Sequence, residues 1–220
     1  MTTTLPLRPF AALLFDMDGT LISSIASAER TWSRWATAHG LDVATFLPTI
    51  HGVRSVETIR RLNLPGVDPE AEAAAITAAE MEDVADVTEI PGARAFLASL
   101  PPERWAIVTS APKALALRRL AAADMPVPEL MVAAEDVSQG KPAPDCFLEA
   151  PRLLGIAAAD CCVFEDAPAG IRAAEAAGAS VVVVTATHHE PASSGHPAIP
   201  DFRHLRALAT PEGLRLTTRL

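Results

Sequence analysis

The feature that most constrains the fold is a set of short apolar runs separated by stretches long enough for helices. Strong runs occupy residues 11–15, 105–108, 161–164 and 181–185, and a weaker one occupies 130–134. The apolarity within each run is continuous rather than alternating, which is typical of parallel strands covered on both faces. Half of the 220 residues are hydrophobic, enough for a substantial core. We therefore predict an α/β fold built on a Rossmann-like parallel sheet.

Prolines indicate where several connecting helices begin. Pro91, Pro112 and Pro168 each precede a stretch of helical character, and proline is tolerated in the first turn because the N–H that it lacks has no helical partner. Gly178 is expected to end the helix that begins at Pro168. Pro151 lies inside a helical tract at 144–154, where it should kink or break the helix.

The gap between the first two strong strands is longer than a simple crossover requires. It spans residues 22–90, and helical periodicity appears in it at 25–39 and again at 69–84. We interpret this segment as a small helical insert. The alternative is that both tracts pack flat on the sheet as ordinary crossover helices.

Charge and cysteine content exclude several classes of function. The net charge of −9 argues against nucleic acid as the main partner, because phosphate backbones are bound by clustered cations. The three cysteines are too few for a disulfide framework, which fits a reducing cytoplasm. The N-terminal stretch does not resemble a signal peptide, and no run approaches the ~18 apolar residues of a membrane-spanning helix.

Two carboxylates, Asp16 and Asp18, follow the first predicted strand. Open α/β sheets bind their ligands at this carboxyl edge. Two acids so close together repel each other, so the pair predicts either a bound divalent cation or one raised pKa. The alternative is that the segment is only a turn, since Asp and Gly both favour turns.

The segment FDMDGTL at 15–21 resembles the first motif of the haloacid dehalogenase superfamily, phosphotransferases that work through a phosphoaspartate. The other motifs follow in order: a strand ending in Thr-Ser at 105–110, Gly-Lys-Pro at 140–142, and an acidic pair after a strand at 163–170. Four ordered motifs are far more specific than any one of them.

The resemblance implies roles for the acidic residues. Asp16 would be the nucleophile, and Asp18 the acid and then the base. Mg²⁺ would be bound by the carboxylates of Asp16 and Asp166 and by the backbone carbonyl of Asp18. Glu165 would lie in or near that shell, or be a solvated acid beside it.

The resemblance also implies a phosphate site. Thr109, Ser110 and Lys141 would hold the phosphate, with Lys141 offsetting repulsion between the phosphate and Asp16. The alternatives are that Ser110 only caps the next helix and that Lys141 is an exposed loop residue. The only other lysine of the chain, Lys113, is expected at the surface.

In this family, a helical insert after the first motif is similar to the C1 cap. Residues 1–21 and 91–220 would form the core domain, and residues 22–90 the cap. The cap segments at 32–35, 39–42 and 51–55 look most like sugar-phosphate phosphatases of the deoxyglucose-6-phosphate and glycerol-3-phosphate type. His51 and Arg54 would contact a small polyol phosphate, or would be solvated cap residues.

The expected function is therefore Mg²⁺-dependent hydrolysis of small sugar or polyol phosphates in the cytoplasm. A mutase of the β-phosphoglucomutase type and a catalytically silent phosphate-binding domain are the alternatives. The intact Asp-x-Asp pair argues against carbon–halogen chemistry, and the absence of lysine from 22–90 argues against a Schiff-base phosphonatase. Ser23, Val53 and Ala111 depart from the family pattern, and neither the preferred ester nor the oligomeric state can be read from the sequence.

Overall fold

A computed structural model describes residues 5–6, 8–188 and 195–218, and the elements below are those of these residues. The strands in chain order are β1 (Ala12–Phe15), β2 (Ile22–Ser23), β3 (Thr88–Glu89), β4 (Trp105–Val108), β5 (Met131–Val132), β6 (Cys161–Glu165), β7 (Ser180–Val184), β8 (Ala198–Ile199), β9 (Leu205–Thr210) and β10 (Gly213–Thr218). The helices are α1 (Ile25–Ala38), α2 (Val43–Phe46), α3 (Ser55–Leu62), α4 (Pro69–Glu82), α5 (Ala93–Ala98), α6 (Lys113–Ala122), α7 (Asp145–Leu154) and α8 (Pro168–Ala176).

The main sheet has the order β5-β4-β1-β6-β7-β8, and each neighbouring pair is parallel. Alternate residues of its central strand pack into two different apolar clusters: Phe15 lies in one, and Leu14 in the other. Both faces of the sheet are thus buried, which explains the continuous apolarity of the strands. The predicted α/β fold is confirmed, and all five predicted strands are present to within one or two residues.

The register of the central strands determines where the polar residues meet. Phe15 of β1 lies opposite Ile107 of β4 on one side and Phe164 of β6 on the other. The Phe15 and Phe164 rings stack with centroids 4.9 Å apart. Because the three strands are parallel and in register, the residues that follow these positions emerge together at one edge of the sheet.

Residues between β2 and β3 form the helices α1 to α4, which we call the insert. These helices enclose an apolar cluster separate from the two clusters of the sheet, and its buried members are Trp32, Trp35, Ala36, Phe46, Ile50, Ile59 and Ile76. The short strands β2 and β3 pair antiparallel, so the two connections to the insert run side by side. The insert helices therefore pack mainly on one another rather than flat on the sheet.

The helix starts agree only in part with the proline signals. Pro168 is the first residue of α8, and Gly178 follows the end of that helix at φ +79°, as predicted. Pro112 and Pro91 precede α6 and α5 by one and two residues, because α5 begins after Gly92. The break expected at Pro151 is wrong, since α7 runs through it to Leu154.

A β-hairpin of β9 and β10 was not predicted. It is tied to the sheet by backbone hydrogen bonds between Phe10 and Leu214, with N–O distances of 2.8 and 2.7 Å. Leu205, Leu214 and Leu216 add to the core beneath it. Among the described residues, we find no helix with the length and apolarity needed to cross a bilayer.

Candidate active site

The ends of the central strands bring four acidic and polar side chains to one edge of the sheet. Asp16 follows β1, Thr109 follows β4, Glu165 is the last residue of β6, and Asp166 comes next. All four are buried. Lys141 reaches the same place from the loop before α7, so residues separated by up to 150 positions form one cluster.

Lys141 is the centre of this cluster. Its Nζ lies 2.5 Å from Asp16 Oδ1, 2.8 Å from Glu165 Oε1 and 3.2 Å from the carbonyl oxygen of Val108. An ammonium has three protons to donate, and each has an acceptor here. The side chain is 1% exposed, which is incompatible with the alternative of an exposed loop lysine. Lys113, by contrast, is exposed.

Burial changes the protonation of the cluster. It raises the pKa of Asp16 to about 7, although the Lys141 ammonium opposes the rise. It also raises the pKa of Asp166 well above its usual range, with further increases from the charges of Glu165 and Asp16. Burial alone would lower the pKa of Lys141, but the Asp16 and Glu165 carboxylates outweigh burial and raise it, so the lysine stays protonated.

Glu165 is fully buried and uses both carboxylate oxygens within the protein. Oε1 accepts from Lys141, and Oε2 accepts from the backbone N–H groups of Asp166 and Ala167, each at 2.8 Å. A Cβ on Gly170 would lie 1.6 Å from Oε1, so only glycine fits there. Glu165 is therefore not a solvated acid, and its contacts hold Lys141 in place.

The same cluster offers a set of metal ligands. Carboxylate oxygens of Asp16, Glu165 and Asp166 lie within 4.8 Å of one another. Gly19 lets Asp166 approach the backbone, since a Cβ there would lie 2.0 Å from Asp166 Oδ2, and Thr20 Oγ1 donates to Asp166 Oδ1 at 3.3 Å. Three buried acids against one ammonium leave excess negative charge, and carboxylate oxygens are hard donors. The residues present fit a hard divalent cation such as Mg²⁺.

Asp18 is held differently from Asp16. Its Oδ1 accepts from Ser24 Oγ at 2.5 Å and lies 3.1 Å from Nη1 of Arg119. Nη2 of Arg119 lies 3.3 Å from Glu80 Oε1. Burial raises the pKa of Glu80 to about 7, against the opposing effect of Arg119. Burial would lower the pKa of Arg119, but Asp18 and Glu80 raise it, so the guanidinium lies charged between two carboxylates.

Arg119 and Glu80 are not among the site residues that the sequence motifs predict. Arg119 shares the buried face of α6 with Leu115 and Leu120, and Glu80 lies one turn after the buried Ile76 of α4. A charge on the apolar face of a helix is the signal that could have identified both residues.

Thr109 and Ser110 line the same cavity as Asp16 and Asp18. Thr109 Oγ1 accepts from the backbone N–H of Ala111 at 3.1 Å. Ser110 Oγ donates to the carbonyl oxygen of Gly52 in the insert at 2.9 Å. The alternative of Ser110 as a helix cap does not hold, because α6 begins at Lys113 and shows no side-chain cap.

The two insert residues predicted to contact substrate are in different places. His51 lines the cavity that contains Asp16 and Asp18, and its Nε2 lies 3.4 Å from Glu29 Oε1. Burial lowers the pKa of His51, against the opposing effect of Glu29. Arg54 does not line that cavity. Its Nη1 donates to the carbonyl oxygens of Ala134 and Val137, at 3.2 and 3.3 Å.

Arg54 and its neighbour Glu57 thus bind the insert to the core. Glu57 Oε1 accepts from the backbone N–H of Gly140 at 2.9 Å and lies 3.3 Å from Arg54 Nε. Gly140 immediately precedes Lys141. The insert therefore contacts the loop that carries the buried lysine.

Comparisons with known proteins identify the family of this chain. The family model for haloacid dehalogenase-like hydrolases matches residues 10–178. The chain belongs to this family, and it is an enzyme of the hydrolase class. The match includes β1, the insert and the acidic pair at the end of β6.

Among its relatives is hexitol phosphatase A of Escherichia coli K12, 41% identical over 182 residues that cover 81% of this chain and 84% of the relative. Another is 2-deoxyglucose-6-phosphate phosphatase 2 of Saccharomyces cerevisiae, 34% identical over 80% of each chain. A solved hydrolase from Pseudomonas syringae superposes with a TM-score of 0.73 and 26% identity, covering 83% of this chain and 87% of that one.

Proposed function

We propose that this protein is a Mg²⁺-dependent phosphatase that hydrolyses small sugar or polyol phosphate monoesters through a phosphoaspartate at Asp16. The observation that carries the proposal is the convergence of Asp16, Asp18, Lys141 and Asp166 on one side of the sheet, in a chain whose relatives are named phosphatases. Uncatalysed hydrolysis of phosphate monoesters is extremely slow, so both a nucleophile and charge neutralisation are needed.

In the first half-reaction, a carboxylate oxygen of Asp16 attacks phosphorus, and the ester P–O bond breaks. Asp18 gives its proton to the departing alkoxide oxygen. Lys141 holds one oxygen of Asp16 and adds positive charge where the incoming phosphate would otherwise be repelled. The hydroxyl of Thr109 and the backbone N–H of Ser110 would donate hydrogen bonds to the phosphate oxygens, while the Ser110 hydroxyl contacts Gly52 of the insert.

In the second half-reaction, water attacks the phosphorus of the acyl phosphate. Asp18, now ionised, takes a proton from this water, and the bond between phosphorus and the Asp16 oxygen breaks. Inorganic phosphate leaves, and the carboxylate of Asp16 is restored. Two easier displacements thus replace one difficult displacement.

Asp16, Asp166 and the backbone carbonyl of Asp18 would hold the Mg²⁺ ion, with Glu165 beside them. When bound, the ion supplies positive charge to the phosphate oxygens and lowers the repulsion among the acids. The geometry supports this assignment, because three buried carboxyl groups lie within 4.8 Å of one another and Lys141 supplies one ammonium to them.

The insert would act as a C1-type cap on a core of residues 1–21 and 91–220, with residues 22–90 forming the cap. Its residues Trp32, Ile50 and His51 line the cavity above Asp16, and paired strands join it to the core. A cap in this position excludes water during transfer and contacts the leaving group. His51 would contact hydroxyl groups of a substrate.

The test is release of inorganic phosphate from a panel of sugar, polyol and nucleotide monophosphates, each with Mg²⁺ and with EDTA. We expect turnover of hydroxylated alkyl phosphates only with Mg²⁺, and none from Asp16→Asn. Acid quenching during turnover should trap one phosphoryl group on Asp16, detected by mass spectrometry. Turnover by Asp16→Asn at the wild-type rate would contradict the mechanism.

The same panel separates the alternatives. A mutase would convert one hexose phosphate into its isomer, seen by ³¹P NMR, with little free phosphate. A silent phosphate-binding domain would bind phosphate and turn over no ester. A cytoplasmic location rests on the sequence alone and stays a prediction.

A further inference from the structure

Arg119 lies between a residue of the core and a residue of the insert. Asp18 follows β1, Arg119 belongs to α6 and Glu80 to α4. The guanidinium is 3.1 Å from Asp18 Oδ1 and 3.3 Å from Glu80 Oε1. The side chains of Arg119 and Glu80 are 5% and 6% exposed, whereas that of Asp18 is 27% exposed.

The burial of this arrangement requires a function or a compensating gain. Burying a guanidinium or a carboxylate costs free energy unless the group is paired with an opposite charge. Nε and Nη2 of Arg119 make no hydrogen bond to any of the described residues, so the group is held mainly by charge. A hydrophobic side chain on this face of α6 would pack without that cost, which indicates that stability alone does not explain the pair.

The contacts of Asp18 indicate what the pair does. Ser24 and Arg119 both contact Oδ1, and Oδ2 accepts no hydrogen bond from the described residues. Two donors on one oxygen fix the orientation of the carboxyl plane. They also place negative charge on Oδ1, which leaves Oδ2 as the oxygen that carries a proton into the cavity.

We infer that Arg119 is a positioning residue for Asp18, and that Glu80 of the insert holds Arg119 in that role. This inference rests on the proposed function, in which Asp18 transfers a proton to the leaving group. Since Glu80 lies on α4, the orientation of Asp18 depends on the insert lying against the core. Proton transfer is thereby favoured only when the cavity is covered.

The test compares two leaving groups. An alkoxide needs a proton to depart, whereas the acetate of acetyl phosphate does not, so loss of the acid function should slow only the first. The probes are sorbitol 6-phosphate, or the alkyl phosphate that the panel ranks highest, and acetyl phosphate. Formation of the phosphoenzyme is followed by rapid acid quench in a single turnover at pH 8 with saturating Mg²⁺.

For Arg119→Met, we expect the rate with the alkyl phosphate to fall by about 100-fold, within the usual contribution of a general acid. The rate with acetyl phosphate should fall by less than about threefold, and KM should be unchanged for both. Glu80→Gln should also slow the reaction of the alkyl phosphate more than that of acetyl phosphate, but by a smaller factor than Arg119→Met. The double variant should react with the alkyl phosphate no more slowly than Arg119→Met alone, because the two residues act as one unit. Arg119→Lys should recover part of the loss.

The matched control is Arg118→Met. Arg118 is the neighbouring, exposed arginine of α6, and it also reaches the insert, donating to the carbonyl oxygen of Met81 at 3.2 Å. The Arg118→Met substitution should leave the rates with both substrates unchanged. If Arg119→Met does not fold, Arg119→Lys and Glu80→Gln carry the same comparison.

An equal fall for both substrates in the Arg119 and Glu80 variants would assign the pair a purely structural role and overturn the inference. Unchanged rates would overturn it equally. Neither result affects the phosphatase proposal, which is judged on the wild-type enzyme. If wild-type protein releases no phosphate from either probe, the proposed function itself fails.

Discussion

Nζ of Lys141 lies 2.5 Å from Oδ1 of Asp16, and less than a tenth of either side chain is exposed. This pair connects the end of β1 to a loop more than a hundred residues later. Its ammonium is the only described basic group within hydrogen-bond distance of Asp16.

Replacing Lys141 with Met should abolish useful turnover. The ammonium offsets repulsion between Asp16 and the incoming phosphate, and loss of one such group costs about 100- to 1,000-fold in kcat. It should also cost roughly 3–5 kcal/mol of unfolding free energy, since it leaves buried acids uncompensated. Phosphate release and urea unfolding measure the two effects. Lys113→Met, which removes the other, exposed lysine, is the control and should change neither.

Mg²⁺ should stabilise the protein against heat through the acids at the end of β6. Binding only to the folded state raises the apparent stability by mass action. Without metal at pH 8, Asp166→Asn should melt at a higher temperature than wild type, because it removes a buried carboxylate whose pKa is raised. Adding Mg²⁺ should raise the melting temperature of wild type by several degrees and that of Asp166→Asn by much less. An equal shift in both proteins would place the metal elsewhere.

The stability of the metal-free protein should fall as pH rises from 5 to 8, and Asp16 should account for part of the fall. Its folded pKa of about 7 is above the ordinary value of 3.8, so between these values the folded state binds a proton that the unfolded state has lost. The stabilisation is therefore present at low pH and is lost as pH rises through about 7.

The comparison is urea unfolding of wild type and Asp16→Asn in EDTA. Over this pH range, wild type should lose on the order of 2 kcal/mol relative to the variant. A difference that stays constant from pH 5 to pH 8 would contradict the raised pKa of Asp16.

Gly170→Ala should destabilise the protein, although alanine is the better helix former. Gly170 lies in α8, where replacing glycine with alanine would otherwise gain about 1 kcal/mol. The new Cβ would meet Glu165 Oε1 at 1.6 Å and displace the carboxylate that holds Lys141. We expect a loss of roughly 2 kcal/mol or more, by the cost of overpacking and of a broken buried ion pair. A gain in stability would show that α8 moves to accommodate the new Cβ. In that case kcat should equal the wild-type value.

His51 and Arg54 should respond differently to substitution. His51 lines the cavity, so His51→Gln should raise KM for some hydroxylated esters more than for others. Arg54 contacts Ala134 and Val137 of the core, so Arg54→Lys should lower kcat/KM by a similar factor for every ester in the panel. A change in the ranking of substrates for Arg54→Lys would indicate direct contact with substrate instead.

Much of the site could be predicted from the sequence because it follows the strands. Asp16 and Thr109 each come directly after a buried apolar run, Glu165 and Asp166 follow another, and parallel strands in register bring such residues to one edge. Lys141 was accessible only through the resemblance of Gly-Lys-Pro to a family motif. Nothing in a loop lysine by itself predicts that it is buried against two acids.

Other features depended on contacts between distant elements. The hairpin of β9 and β10 joins the core through Phe10, and nothing local in 205–218 predicted that partner. Pro151 remains within α7 despite its missing N–H, because the helix is supported by packing on the sheet. Arg54 faces the core rather than the cavity, which depends on how α3 is rotated against the loop at 133–140.

The local pattern of residues specifies which strands form, that they are parallel, and which reactive residues stand at their ends. These properties follow from local apolarity and from the fixed direction of the chain through each strand. The pairing of cations with carboxylates depends on the assembled fold: Lys141 pairs with Asp16 and Glu165, and Arg119 with Asp18 and Glu80. Such pairings depend on how each helix is rotated and on how the insert packs against the core. Both depend on contacts between elements that are far apart in the chain.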